Sequence, residues 1–122
     1  MATFMVRITK EFTDDDLENI MITALEGGIG YWACLDNSDW NQQPADMPTS
    51  EYAWKILRDG GTLHFLDEED DGAEYFLDLS SLLDGIGKCI ANKDWDGDMD
   101  NIDAIVADMI IQYAIFGSVI YG

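Results

Sequence analysis

The spacing of apolar residues in the first 35 positions changes twice, from that of a strand to that of a helix and back. Residues 3–9 alternate with a period of two, which predicts a half-buried strand. The apolar side of that strand consists of Phe4, Val6 and Ile8. Thr13 then precedes the sequence DDDLENIMITALE, whose apolar residues recur at helical spacing, and Thr13 and the aspartates are favourable at a helix start. Gly27 and Gly28 are predicted to end this helix by adopting positive φ, and residues 29–35 are predicted to form a buried strand.

The middle of the chain predicts a second helix and a hairpin. The second helix starts at Pro48-Thr49-Ser50 and stops at Gly60-Gly61. The apolar segments 62–66 and 74–79 flank the acidic sequence DEEDDGA, which predicts two strands joined by an acidic loop. The polar segment 36–50 is predicted to be a loop.

Two further helical patterns and a short strand complete the chain. The third helix is predicted to begin at Asp78 or Leu79, and the fourth is predicted to be capped by Asp100 or Asn101. Residues 118–122 are predicted to form a final strand. The order of elements predicts one α+β domain over residues 1–122, with about four helices packed on a mixed or antiparallel sheet.

The fourth helix is apolar on nearly every side, because Ile111 and Ile115 extend its main stripe. A helix of this kind is buried on both sides. In a chain of 122 residues, we expect a second copy to cover one side. Asp108 and Gln112 lie one turn apart on the less apolar side, where they are either ordinary surface residues or ligands at a subunit boundary.

The formal net charge of −19 restricts the possible partners. Six Lys and Arg residues stand against 25 Asp and Glu residues, and such a field repels DNA, RNA and anionic membranes. Three interpretations remain open: the charge serves solubility, it mimics nucleic acid for a basic partner, or it binds cations.

The chain carries no pattern typical of export or membrane insertion. No apolar run approaches ~18 residues, and the first residues lack the pattern of a signal peptide. The two cysteines, Cys34 and Cys89, are too few for a disulfide framework. These features predict a cytosolic protein without a membrane span.

Familiar catalytic and metal-binding motifs are not found. The acidic residues 94–103 alternate as in a calcium loop, but an EF-hand requires Gly and Glu where this chain has Met99 and Ile105. His64 is the only histidine, and no cysteine lies at zinc-ligand spacing from it. The glycines do not fit a dinucleotide or P-loop motif. We therefore expect no dedicated metal site and no cofactor, whereas the abundant carboxylates leave acid–base catalysis open.

The sequence ALEGGIGYWAC, residues 24–34, breaks a helix and presents Tyr31 and Trp32 at once. The simpler interpretation is a helix stop followed by a buried strand. The alternative is an aromatic stacking surface beside accessible backbone, which suits a planar ligand.

Four segments together resemble a family of small phage proteins. They are FTDDDLENIMITALEGGIGYWACLDN, PTSEYAWKILRDGGTLHFLDEED, LDLSSLLDGIGKCI and ADMIIQYAIFGSVIYG. Together they cover most of the chain, which resembles the first-described family of Thoeris anti-defence proteins, encoded by phages and prophages. The resemblance implies a viral protein that acts in the cytoplasm of the infected bacterial host. It implies a sponge that binds a cyclic ADP-ribose signal without cleaving it.

The resemblance also implies an oligomer with ligand sites between subunits, and for some members a separate site for cyclic oligonucleotides. On this basis Arg58 is expected to bind the phosphates, and Asn92 a base edge. Asp108 and Gln112 are expected to bind ribose hydroxyls. The expected aromatic stacking residues are Tyr31, Trp32 and Phe116.

Two other functions remain open from the sequence. An acidic DNA mimic that inhibits a basic nuclease, as in anti-CRISPR or anti-restriction proteins, would use the same extreme charge. Against it, the acidic residues cluster in loops and helix caps and do not follow one helix face. A small enzyme that cleaves a nucleotide signal would be distinguished from a sponge by turnover.

Overall fold

A computed structural model describes all 122 residues and contains four helices and three strands. In chain order these are α1 (Asp14–Thr23), β1 (Ala33–Asp36), α2 (Thr49–Arg58), β2 (Leu63–Asp67), β3 (Glu74–Leu77), α3 (Leu79–Ala91) and α4 (Ala104–Phe116). A π-helical turn, Ala24–Gly28, extends α1, and a 3₁₀ turn, Met99–Asn101, precedes α4. The prediction of an α+β fold with about four helices is confirmed.

The three strands form one antiparallel sheet in the order β1-β2-β3. One face of the sheet carries buried apolar residues such as Leu63, Phe65 and Leu77, which join the main core. The opposite face carries Cys34, Phe76 and other exposed or half-buried side chains. The sheet is therefore covered by helices on one side only.

Local capping chemistry explains where the helices begin. Thr13 and Asp16 form a reciprocal capping box at α1, in which each side chain accepts from the other residue's backbone N–H. Asp78 caps α3 by accepting from Ser81, as the sequence predicts. The cap of α4 is Asp103, so this helix begins later than the prediction from Asp100 or Asn101.

The two terminal strands predicted from the sequence do not form. Residues 3–9 are exposed and have no regular secondary structure, and they pair with no strand of this chain. Residues 118–122 are held by side chains of the domain and join no strand. Alternation indicates which side of a segment is apolar, but a strand also needs a pairing partner, and neither segment pairs with a strand of its own chain.

Helix α4 lies at the centre of the domain, where it packs against α1, α3, the π-helical turn and β3. Its residues Val106 to Tyr113 are buried, with only Met109 partly exposed. The all-round apolar composition of α4 is thus explained within one chain. The apolar composition of α4 therefore does not require a second copy, because neighbours in the same chain already cover this helix. The expectation of an oligomer stays a prediction.

Candidate functional site

The π-helical turn and the start of α4 approach each other very closely at Gly28. A Cβ atom built on Gly28 would lie 2.9 Å from the backbone oxygen of Ala104 and 3.2 Å from the backbone nitrogen of Asp108. Neither Gly27 nor Gly28 has positive φ. The expectation that these glycines end the helix through positive φ is therefore wrong, because Gly28 is needed for the close contact with α4.

This contact brings the residues after the turn onto Asp108. The Trp32 indole donates from Nε1 to Oδ1 of Asp108 at 2.8 Å, and the Tyr31 hydroxyl donates to Oδ2 at 2.5 Å. Gln112 donates from Nε2 to Oδ1 at 2.9 Å. The carboxylate is almost fully buried, and these three donors compensate for the loss of water around it.

Gln112 also fastens the C-terminal segment to this cluster. Its side-chain oxygen accepts from the backbone N–H groups of Ile120 and Tyr121, both at 2.8 Å. Its amide nitrogen donates to the Tyr121 carbonyl at 3.1 Å. The Tyr121 ring stacks on Trp32 with a centroid distance of 5.3 Å. The segment therefore folds back over the cluster and brings Gly122 beside Tyr31 and Asp108.

A second carboxylate anchors the same segment to the sheet. Asp67, at the end of β2, accepts from the hydroxyls of Tyr75 and Tyr121, each at 2.8 Å. Burial raises the pKa of Asp67, but the hydrogen bonds from these hydroxyls and from the backbone of Glu69 and Asp70 more than offset it, so its pKa is lowered overall. Asp67 remains ionised and keeps Tyr121 in place.

An open cleft of about 410 Å³ lies where the π-helical turn, the start of α4 and the C-terminal segment meet. It is lined by Gly27, Gly28, Tyr31, Ala104, Ile105, Asp108 and Gly122. Tyr31 remains half exposed and Ile105 is largely exposed. The cleft thus combines an accessible aromatic ring, the exposed backbone of Gly27 and the first turn of α4. In that turn Asp103 accepts from the Val106 N–H, and the N–H groups of Ala104 and Ile105 lack intrahelical partners.

The Tyr31 hydroxyl of the cleft is held in its neutral form. Burial, followed by the hydrogen bond to Asp108 and its charge, raises the pKa of Tyr31 to about 12. The Tyr31 hydroxyl is therefore neutral at physiological pH and acts as a donor. Asp108 accepts from three donors at once.

The structure brings together five of the seven site residues expected from the sequence. Tyr31 and Asp108 line the cleft, while Trp32 and Gln112 are fully buried behind them. Phe116 packs on Trp32 with a centroid distance of 5.4 Å. Trp32 and Gln112 therefore position the residues that line the cleft, and their own surfaces are not accessible to a ligand.

The other two expected residues do not line the cleft. Arg58, at the end of α2, lies 3.6 Å from carboxylate oxygens of both Asp14 and Asp59. Asn92 donates from its amide to the Lys88 carbonyl at 2.8 Å and so caps the end of α3. Sequence reasoning also missed Ala104, Ile105 and Gly122, because only the folded chain brings the C-terminus to the start of α4.

The remaining candidate features have local structural roles. In the acidic segment 94–103, Asp96 accepts from the backbone of Asp98, and Asp98 accepts from that of Asp100. His64 lies 3.1 Å from an oxygen of Asp36 and stacks on Phe76. No group of three or more His, Cys, Asp or Glu side chains is arranged to hold a metal ion. None of the helices has the length and apolar character needed to span a membrane.

Comparison with known proteins adds no identification. No family model matches the chain, and neither the curated proteins nor the solved structures contain a significant match. The function is therefore argued from the cleft and its surroundings.

Proposed function

We propose that this protein is a phage counter-defence protein that binds a glycocyclic ADP-ribose immune signal and holds it intact in the cytoplasm of the infected bacterium. The observation that carries the proposal is the open cleft of about 410 Å³ in which the exposed ring of Tyr31 adjoins the Gly27–Gly28 backbone and the first turn of α4. A cleft of this volume falls within the range of small-molecule sites.

Each part of such a ligand has a counterpart in the cleft. The adenine stacks on the half-exposed ring of Tyr31. The pyrophosphate lies against the N-terminal turn of α4, a helix of 13 residues. Asp103 already accepts from the Val106 N–H there, so the N–H groups of Ala104 and Ile105 and the helix dipole are what favour the anion. A ribose hydroxyl donates to Asp108, whose oxygens retain lone pairs beside the three donors that already hold them.

The negative charge of the protein is the main force against this ligand. At physiological ionic strength, exposed charges are screened over ~8 Å, so most of the acidic surface acts weakly on the cleft. Among the side chains that line the cleft, Asp108 carries the only carboxylate, and three neutral donors hydrogen-bond to it. Short-range contacts to backbone N–H groups therefore outweigh the distant charges.

The same residues favour holding the ligand over cleaving it. Cleavage of a glycosidic or phosphate bond requires a group that accepts or supplies a proton at neutral pH. The two ionisable side chains of the cleft are Tyr31, with a pKa of about 12, and Asp108, which already accepts from three donors. The proposal is accordingly a binding protein without turnover.

Calorimetric titration with the nucleotide product of a TIR-domain sensor tests this proposal, using variants of exposed positions. Ile105→Glu places a carboxylate beside the proposed phosphate position, and we expect it to weaken binding at least tenfold, about 1.4 kcal/mol. Leu83→Glu is the matched control, since Leu83 is an exposed residue of α3 outside the cleft. Equal affinity of the two variants would contradict the assignment of the cleft.

Arg58→Ala separates the cleft from the site expected from the sequence. Arg58 does not line the cleft, so we expect this variant to bind as the wild type does. A large loss of affinity would instead move the phosphates to the end of α2. A parallel titration with a cyclic oligonucleotide tests whether a second class of ligand binds.

A second candidate function, an inhibitor that docks on a basic nuclease, is favoured by the unpaired acidic surface. Ion pairs within 4.0 Å involve only four of the 25 acidic residues, namely Asp14, Asp36, Asp59 and Glu74. Binding to a basic protein would weaken steeply with salt. Nucleotide binding in the cleft would depend on salt much less, and this comparison distinguishes the two functions.

A further inference from the structure

The segment of residues 1–10, here called the N-terminal arm, carries a strand pattern without a strand partner. Phe4, Val6 and Ile8 alternate along it, and each side chain is at least 79% exposed. Nothing in the domain covers them. Monomeric proteins rarely expose a run of large apolar side chains, so such a run marks an interaction surface.

The charge of the arm is opposite to that of the domain. The arm contains Arg7 and Lys10 and no acidic residue. Residues 11–122 therefore hold all 25 acidic residues against four cationic ones. Electrostatic attraction directs the arm toward an acidic surface of the same kind as the domain itself.

The sheet offers one edge that fits the arm in pairing, polarity and charge. Strand β3 pairs only with β2, so the backbone groups along its outer edge have no partner. Phe76 on this strand is largely exposed. The acidic loop between β2 and β3 precedes the strand, and Glu74 and Asp78 lie at its two ends. An exposed edge of this kind is a template for strand addition.

We propose that the N-terminal arm of one copy adds as a fourth strand to the β3 edge of a second copy. The arm's own domain leaves it exposed. Its exit is fixed, because Phe12 packs on Trp95 with a centroid distance of 5.7 Å, and Thr13 begins α1. Pairing in the second copy gives the arm backbone partners, and it places Arg7 near the acidic ends of β3, whereas Lys10 lies against Gly97 of its own domain.

The test measures association and arm protection in the full chain. We expect light scattering to show a dimer or larger assembly that dissociates on dilution, and hydrogen exchange to show protected amides at residues 4–8. Val6→Pro removes a backbone donor from the paired segment, and we expect it to weaken association at least tenfold. Phe76→Asp should have a similar effect, because it alters the receiving edge. Ala2→Pro, outside the protected segment, is the matched control and should associate as the wild type does.

Three results would overturn the proposal. The first is a wild-type monomer with unprotected arm amides. The second is a monomer with protected arm amides, which would place the arm on its own sheet. The third is an assembly unaffected by Val6→Pro, which would place the interface on another surface. Because these variants change only exposed positions, unchanged circular dichroism is expected and excludes unfolding as the cause.

Discussion

The packing of α3 on α4 can be tested with two glycines that lie two positions apart. Gly85 is buried in α3, and a Cβ built there would lie 2.6 Å from the Ile110 oxygen and 2.8 Å from the Ala114 nitrogen. A Cβ built on Gly87 would meet nothing within 4 Å. Substitution by alanine therefore adds the same methyl group to one helix in two opposite surroundings.

The expected free energies have opposite signs. Alanine in a helix is favoured over glycine by ~1 kcal/mol, and Gly87→Ala should be stabilised by about that amount. Gly85→Ala receives the same gain, but α4 must move away from the new methyl group, which costs ~3 kcal/mol because the obstacles include backbone atoms. We expect Gly85→Ala to be destabilised by ~2 kcal/mol.

Thermal unfolding followed by circular dichroism measures both effects. For a chain of this length, 1 kcal/mol corresponds to ~4 °C in Tm, so we expect Gly85→Ala to lose ~8 °C and Gly87→Ala to gain ~4 °C. Equal Tm values for the two variants would refute the close contact between α3 and α4. A more stable Gly85→Ala would refute it as well.

Three further predictions concern the cluster around the cleft. Asp108→Ala leaves buried donors without partners and should cost ~2–3 kcal/mol in chemical denaturation, whereas Asp84→Ala, at an exposed position of α3, should cost little. Gly28→Ala should destabilise the domain, because the added methyl group would collide with the backbone of α4. Gly30→Ala, with nothing within 4 Å of its Cβ, should not. Equal Tm values for the two variants would contradict this prediction. The pKa of Tyr31 rises from 10.0 to about 12 on folding, so its contribution to stability is complete below pH 10 and is lost as the pH approaches 12. Ultraviolet absorbance of the phenolate should show that Tyr31→Phe removes one late-titrating group.

The starts of α1 and α3 and the hairpin between β2 and β3 could be predicted, because each depends on residues that are close together in the sequence. The capping box of Thr13 and Asp16 and the cap at Asp78 use residues three positions apart, and such patterns can be read directly. The acidic turn between β2 and β3 is likewise defined by adjacent residues. Patterns of neighbouring residues were therefore sufficient to predict the α+β fold class.

The errors concern features that depend on distant residues. Alternation in residues 3–9 carried no information about a pairing partner, and the folded chain leaves both sides of this segment exposed. The composition of α4 predicted burial on all sides, yet could not say whether the same chain or a second copy provides it. Gly28 was interpreted as a turn residue, whereas its contact is with Ala104, which lies 76 positions along the chain.

The candidate site could be predicted only in part for the same reason. Tyr31 and Asp108 were chosen separately, by aromatic character and by polarity on an apolar helix, and the structure joins them by a hydrogen bond. The expectation that Arg58 binds the phosphates rests on the resemblance. The resemblance gives no position in space, and the folded chain places Arg58 against Asp14 and Asp59.

The most direct test of the central proposal is to recover the nucleotide after binding. The protein is incubated with the nucleotide product of a TIR-domain sensor, separated from free ligand, heated, and the released material is weighed by mass spectrometry. We predict that the wild type releases the intact nucleotide in proportion to protein, and that Ile105→Glu releases much less. A cleaved product would make the protein an enzyme, and no released nucleotide would contradict the proposal and favour a basic protein partner.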